Sequence, residues 1–247
     1  MQRMGTSTMS AEDLLTLKVI ARVHSDFPEK FGIPRQSGLA PDTFSRIVFE
    51  EEFRNADALR GIEGFDYLWL IWEFSENMRE TWSPTVRPPR LGGNARLGVF
   101  ATRSPFRPNP IGLSSVKLER LENDPQLGLT LIVSGADLMD GTPIYDIKPY
   151  IPYTDSHPDA AGGFAAAPDK QVKVEFPQNL LRQIPEKYHA GLFQVLSQDP
   201  RPSYRADGER VYGLYFAEYN IRFRVEKGVL SVCAAEKREQ KTEPIDQ

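Results

Sequence analysis

The chain has a single cysteine, Cys233, and three histidines, His24, His157 and His189, that lie far apart. One thiol excludes an intrachain disulfide and a cysteine-rich metal site, and the histidines show no metal-ligand spacing. No apolar run reaches the ~18 residues that a membrane span needs, and residues 1–20 lack the apolar core of a signal peptide. These absences predict a soluble cytoplasmic protein with no membrane segment and no metal. Catalytic signatures are missing too: there is no G-x-S-x-G, no phosphate-binding G-x-x-x-x-G-K-[ST] and no H-E-x-x-H. Gly92-Gly93 followed by Gly98 fails the dinucleotide fingerprint, and no long helix follows to aim its dipole at a pyrophosphate.

A long pattern of period 3.6 is also lacking between residues 15 and 155. What stands there is a series of short apolar or alternating runs. They predict strands at residues 15–23, 44–50, 65–74, 114–121, 128–134 and 144–147, with a short helix at 53–60 closed by Gly61. The run 65–74 (FDYLWLIWEF) carries aromatics on both parities and reads as a strand buried on both faces. Strands without intervening helices favour a closed or strongly curved sheet over a doubly wound α/β fold. Composition shifts at residues 155–170, a small-residue stretch with Pro and Gly that reads as a linker. Beyond it a strand at 172–176, a helix at 177–196 with Pro185 inside it, and three strands from 212 onward form a small α+β unit. Residues 1–13 and the charged tail after Glu236 read as frayed.

Acidic residues are absent from one long stretch. Residues 81–117 contain no Asp or Glu, although the whole chain has a net charge of −4. The same stretch holds Arg87, Arg90, Arg96, Arg103, Arg107 and Lys117, with Pro84, Pro88, Pro89, Pro105, Pro108 and Pro110. Proline stiffens the backbone, and arginine presents a planar fork of donors to phosphate or carboxylate. The acidic net charge argues against indiscriminate coating of nucleic acid, but it leaves room for a local anion site. Roughly 30 residues on come Asp137 and Asp140, in an acidic turn at a strand end that continues into Asp146, Lys148 and Tyr150. A carboxylate at a strand's carboxyl end can hold ribose hydroxyls or an amino group. Each part has a plainer reading alone: Asp140-Gly141 marks a tight turn, and loop arginines are commonly solvated. Together they supply both kinds of partner that a nucleotide needs. Arg201, Tyr204 and Arg205 form a second Arg/Tyr/Pro cluster that reads as a surface loop or a second RNA contact.

The blocks RPPRLGGNARLGVFATRSPFRPNPIGLS and DLMDGTPIYDIKPYIPYTDS resemble the signature segments of the TsaA-like family. The likeness runs over residues 16–157, and QDPRPSYR with YFAEYNIRFRV extends it into a C-terminal unit at 170–236. It implies a mainly β fold, a curved antiparallel β-barrel outside the Rossmann methyltransferases, with a small α+β C-terminal domain. It also implies a homodimer with cofactor sites near the subunit interface. The implied activity is S-adenosylmethionine-dependent N6-methylation of threonylcarbamoyl-adenosine at position 37 of tRNA, in the anticodon loop. Carried onto this chain, the family's cofactor contacts fall at Pro34, Arg35, Gln36, Phe74, Ser75, Arg103, Leu113, Asp137, Leu138, Met139 and Asp140. Asp146, Lys148, Tyr150 and Asp155 are then expected on the catalytic, substrate side, with Asp146 as proton acceptor. Arg87, Arg90, Arg96, Arg107, Asn109, Arg201 and Arg205 are expected to meet tRNA. A non-catalytic module that binds S-adenosylmethionine or RNA is the alternative.

Overall fold

The computed structural model describes residues 15–77, 81–201 and 210–238. Tyr204 and Arg205 lie outside the described residues, as do residues 1–13 and all of the tail beyond Arg238. The fold is mainly β with few helices. Its N-terminal part is built from β1 (Ala21–Ser25), β2 (Phe44–Phe49), β3 (Tyr67–Glu73), the two-residue strands β4 (Thr85–Val86) and β5 (Leu97–Gly98), β6 (Ile111–Asp124), β7 (Gly128–Ser134) and β8 (Pro143–Pro149). Six of these strands follow the order β1-β2-β7-β6-β3-β8, and β8 pairs back onto β1 through Ala21 and Ile144. The ring is a closed antiparallel barrel, which leaves no open sheet edge.

Alternation explains its interior. Along β6 the buried positions are Gly112, Ser114, Val116 and Leu118, every second residue. Val116 and Leu118 join Leu68, Leu70 and Trp72 of β3 and Leu131 and Val133 of β7 in one core cluster, while Gly112 and Ser114 stand opposite Trp72 and Leu70 in the ladder. The expectation of a β3 buried on both faces needs correction. Its burial strictly alternates, Tyr67 is 44% exposed, and the second set of aromatics lies on the outside. The helix expected at 53–60 is two 3-10 turns, Glu51–Phe53 and Ala56–Leu59, the second capped by the Asn55 side chain.

After α1 (Pro152–Asp155), the C-terminal unit consists of β9 (Lys173–Glu175), α2 (Gln178–Leu181), α3 (His189–Ser197), β10 (Tyr212–Phe216), β11 (Tyr219–Glu226) and β12 (Val229–Lys237). Pro185 breaks the expected helix between α2 and α3, because its ring blocks an unbroken helical ladder. The four strands form a sheet of order β10-β11-β12-β9 under α3. Two residues from the barrel side, Phe27 and Ala40, are buried in this second core, and Phe27 meets Phe216 edge-on at 5.7 Å. Gly191 of α3 lies so close to the barrel that a Cβ there would stand 2.7 Å from the Asp42 carbonyl oxygen. Residues 27–40 are thus gripped by the C-terminal core at both ends. No helix among the described residues is long and apolar enough to cross a membrane.

Asp26 sits at this junction, where its carbonyl accepts the Ala217 amide at 2.7 Å. Burial pushes its carboxyl up to about 6; the positive charge of Lys187 opposes the shift and Asp140 adds to it. A folded-state value above the ordinary 3.8 means that folding is favoured by protonation. The contribution is complete below about pH 4 and lost as pH rises through 6. Asp26→Asn is therefore expected to be more stable than the parent near pH 7.5, by about 1–2 kcal/mol after discounting for partial exposure. Denaturant unfolding across pH checks this, and the gap should close at about pH 4.

Candidate active site: a cleft between the arginine loop and the Asp137 turn

At one end of the barrel, four segments enclose a cleft of about 570 Å³. They are the loop 30–36, the end of β3 with residues 74–76 behind it, the loop entering β6, and the turn 137–139 with Thr142. Each is placed by backbone pairing. The Phe74 amide donates to the Pro110 carbonyl at 2.9 Å, and the Gly38 amide donates to the Gly135 carbonyl at 2.8 Å. The loop carrying Arg35 is thereby tied to the base of the Asp137 turn.

Trp72 forms part of the cleft wall, with Phe74 tilted against it at 4.3 Å between ring centres. Strand β6 passes the indole at Gly112, where a Cβ would stand 2.2 Å from an indole carbon. Only glycine allows that approach. The Trp72 indole N–H donates to Ser114 Oγ at 3.0 Å, and the Ser114 hydroxyl donates to Asp137 Oδ1 at 2.6 Å. Burial raises the Asp137 carboxyl above its ordinary value. The Ser114 hydroxyl opposes that shift most, followed by its own backbone amide, the Arg103 charge and the Ser37 amide. A desolvated carboxylate with donors gathered around it is a strong acceptor for ligand hydroxyl or amino groups.

The rim is a relay of arginines. Arg103 donates to Gln36 Oε1, and Gln36 donates in turn to the Arg35 carbonyl. Arg35 reaches Asp169 Oδ2 at 2.6 Å, and the same carboxylate lies 3.1 Å from Arg90 Nε. Asp169 therefore joins the cleft rim, the arginine loop and the segment leading into the C-terminal unit. Opposite, Glu73 accepts the Tyr145 hydroxyl at 2.6 Å. Burial, helped by that carboxylate, pushes Tyr145 up to about 12 and keeps the phenol protonated.

Of the residues expected around a cofactor, Pro34, Arg35, Gln36, Phe74, Ser75, Arg103, Leu113, Asp137, Leu138 and Met139 all line this cleft. Asp140 does not. Its carboxylate accepts the Ser25 amide at 3.1 Å and lies 3.6 Å from His24, closing the turn on β1. Arg107 and Asn109 also line the cleft. Asp146, Lys148, Tyr150 and Asp155 lie outside its wall. Asp146 pairs with Lys148 at 2.9 Å. Asp155 accepts the Trp69 indole and the Ile151 amide, both at 2.9 Å, and these two bonds hold its carboxyl below the usual range. Tyr150 packs on Trp69 at 5.6 Å. Arg201 is occupied by Asp199 through two bonds of 2.8 Å. Arg87 and Arg96 are exposed and make no ion pair among the described residues. Sequence reasoning missed Trp72, Glu73 and Thr142 of the wall and Ser114 behind it. Trp72 stands near the end of the most apolar run of the chain, and Gly112 just after the proline cluster was the signal that something large lies against that strand.

Residues 22–156 match the family model described as the tRNA-methyltransferase O N-terminal domain, and residues 169–238 match the TrmO C-terminal domain. The chain belongs to the TrmO family. It is 42% identical over 228 residues to a tRNA (adenine(37)-N6)-methyltransferase of Escherichia coli, covering 89% of this chain and 97% of that one. A protein of the same description from Eikenella corrodens is 46% identical over 171 residues, 69% of this chain and 96% of the relative. A crystal structure of TrmO from Pseudomonas aeruginosa superposes with a TM-score of 0.75 at 33% identity, covering 94% of this chain and all of the other. The cleft lies wholly within the match to the TrmO N-terminal domain. Asp169, which fixes two rim arginines, is the first residue of the match to the C-terminal one.

Ser114 makes a specific prediction. Ser114→Ala removes the largest influence holding the Asp137 carboxyl down and orphans the Trp72 indole N–H. The Asp137 titration midpoint, read by carboxyl NMR, is expected to move up. Unfolding free energy is expected to fall by about 1–3 kcal/mol.

Proposed function

We propose that this chain is an S-adenosylmethionine-dependent methyltransferase acting on N6 of threonylcarbamoyl-adenosine at position 37 of tRNA, beside the anticodon. The observation that carries the reading is the meeting of Asp137, Arg103 and the Trp72–Phe74 pair in one cleft, at the edge of an acid-free arginine loop. Family membership supports the chemistry, since relatives so similar are described as tRNA (adenine(37)-N6)-methyltransferases.

The cleft fits the cofactor by the chemistry of its donor set. Asp137 would take ribose hydroxyls, Arg103 and Arg35 would face a carboxylate, and Trp72, Phe74, Leu113 and Leu138 supply apolar surface for a base and for the carbon chain beside the sulfonium. S-adenosylmethionine, when bound, supplies an electrophilic methyl group. The chain's own work is alignment and exclusion of water, because in-line displacement needs proximity more than a strong acid or base. An N6 amino group is a weak nucleophile, so an acceptor must hold its N–H and take the proton. Asp146 is the proposed acceptor, with Lys148, Tyr150 and Asp155 on the same side of the reaction. These residues lie outside the cleft of their own chain; their part is proposed to fall at the cleft of a second subunit, and a cytoplasmic homodimer belongs to the same reading. Tyr67, Tyr150 and the exposed Tyr153 supply aromatic surface of the kind subunit interfaces use.

The test is incubation with methyl-labelled S-adenosylmethionine and tRNA from cells lacking this protein. Label in the adenosine at position 37 is expected, and binding without transfer would favour the non-catalytic module. Asp137→Asn leaves the shape of the cleft and removes a charged acceptor. It is expected to weaken cofactor binding roughly 10- to 100-fold, measured by calorimetry.

A further inference from the structure

An apolar feature beside the cleft has no role in the reading above. Trp82 is 50% exposed and Phe100 is 71% exposed, yet their rings stack on each other at 6.2 Å with 27° between planes. Neither residue is held there by a core. The hairpin of β4 and β5 places them: its ladder continues one step further, where the Val99 amide donates to the Pro84 carbonyl at 3.0 Å. Val99 turns inward and is buried, which turns Phe100 out toward Trp82.

A third planar group completes the surface. The Arg107 guanidinium lies over the Phe100 ring at 6.0 Å, and it donates to the Thr102 carbonyl at 3.0 Å. The intervening turn is stiffened by its own bonds, from Thr102 Oγ1 to the Val99 carbonyl at 2.9 Å and from the Ser104 amide to Thr102 Oγ1 at 3.2 Å. The Val99–Thr102 turn and the Arg107 guanidinium are therefore tied by hydrogen bonds before any ligand arrives, and the Val99–Pro84 bond of the hairpin brings Trp82 beside them. Arg107 also lines the cleft, so the aromatic pair is continuous with the site assigned to methyl transfer.

Charge selects the occupant. The surrounding residues 81–117 carry no carboxylate, and Arg87 and Arg96 stand exposed without an ion-pair partner among the described residues. A positively charged, rigid pair of ring faces suits an unpaired nucleobase with its phosphates, because stacking tolerates any base while arginine neutralises the backbone. We infer that Trp82 and Phe100, with Arg107, form a stacking platform for an unpaired nucleotide next to the methylated adenosine. This rests on the tRNA reading of the cleft and adds to it the part that grips the loop.

The test uses the full chain and a fluorescent anticodon stem-loop RNA, titrated without cofactor at several salt concentrations. Trp82→Ala and Phe100→Leu are each expected to weaken binding about 5- to 100-fold. The slope of log affinity against log salt should stay unchanged, because no phosphate contact is lost, whereas Arg87→Ala should flatten it by about one unit. Trp82→Phe keeps a ring face and should restore most of the affinity. S-adenosylmethionine affinity should be unaffected by either platform variant. Unchanged RNA affinity in Trp82→Ala, or equal loss in Trp82→Phe, would overturn the proposal. So would a change in sedimentation of Trp82→Ala without RNA, which would assign the pair to a contact between copies of this chain. Methyl transfer by the parent chain is scored separately. If the parent binds RNA through the platform but transfers no methyl group, the cleft reading fails and the platform stands.

Discussion

A carboxylate buried in a barrel wall is stable only if hydrogen bonds replace the water it has lost. In this protein the largest part of the replacement comes from one hydroxyl, Ser114 Oγ, which accepts from Trp72 and donates to Asp137. Much of the site depends on that arrangement. Trp72 can lean on β6 because residue 112 is glycine, and Asp137 can face the cleft because the Ser37 amide, its own amide and Arg103 assist the serine. The barrel supplies rigid positions for these groups at the ends of three strands, and the ligand chemistry follows from the one charge they keep desolvated.

The second constraint is long-range. The loop bearing Pro34, Arg35 and Gln36 has little secondary structure of its own, and it is fixed at Phe27 and Ala40 by the core of the C-terminal unit. Asp169 then locks Arg35 and Arg90 from outside. The C-terminal unit thus acts on the cleft without lining it. This gives a physical reason for the two parts to occur in one chain: a rim of arginines would repel itself and sample many rotamers unless a carboxylate and a packed loop held it.

The features legible in the sequence were local ones. An acid-free run of arginine and proline, an Asp turn at a strand end, and a proline inside a helical pattern each announce themselves within one continuous stretch of chain, and Arg103, Asp137 and the break at Pro185 are where those patterns place them. The resemblance to a known family added Phe74, Ser75 and Leu113, which composition and spacing alone do not single out. What stayed hidden was set by partners distant in the chain. Asp140 looks identical to Asp137 as a string of letters, yet its carboxylate closes on Ser25, 115 residues away, while that of Asp137 turns to Ser114. Trp72 sits at the end of an apolar run and reads as core, because nothing local shows that the run stops at a cleft. The alternation of β3 was masked by aromatics on both parities, and only the closed sheet decides which set faces in.

The central claim is that the methyl donor is held between the Trp72–Phe74 wall and the Asp137 turn. Ultraviolet crosslinking of methyl-labelled S-adenosylmethionine to the full chain, followed by peptide mapping, tests it most directly. The account predicts label on peptides spanning residues 30–36, 72–76, 103–113 or 137–142, lost when unlabelled S-adenosylhomocysteine competes. Competable label confined to residues 170–238, or to the outer face of the barrel around Tyr67 and Tyr150, would contradict it.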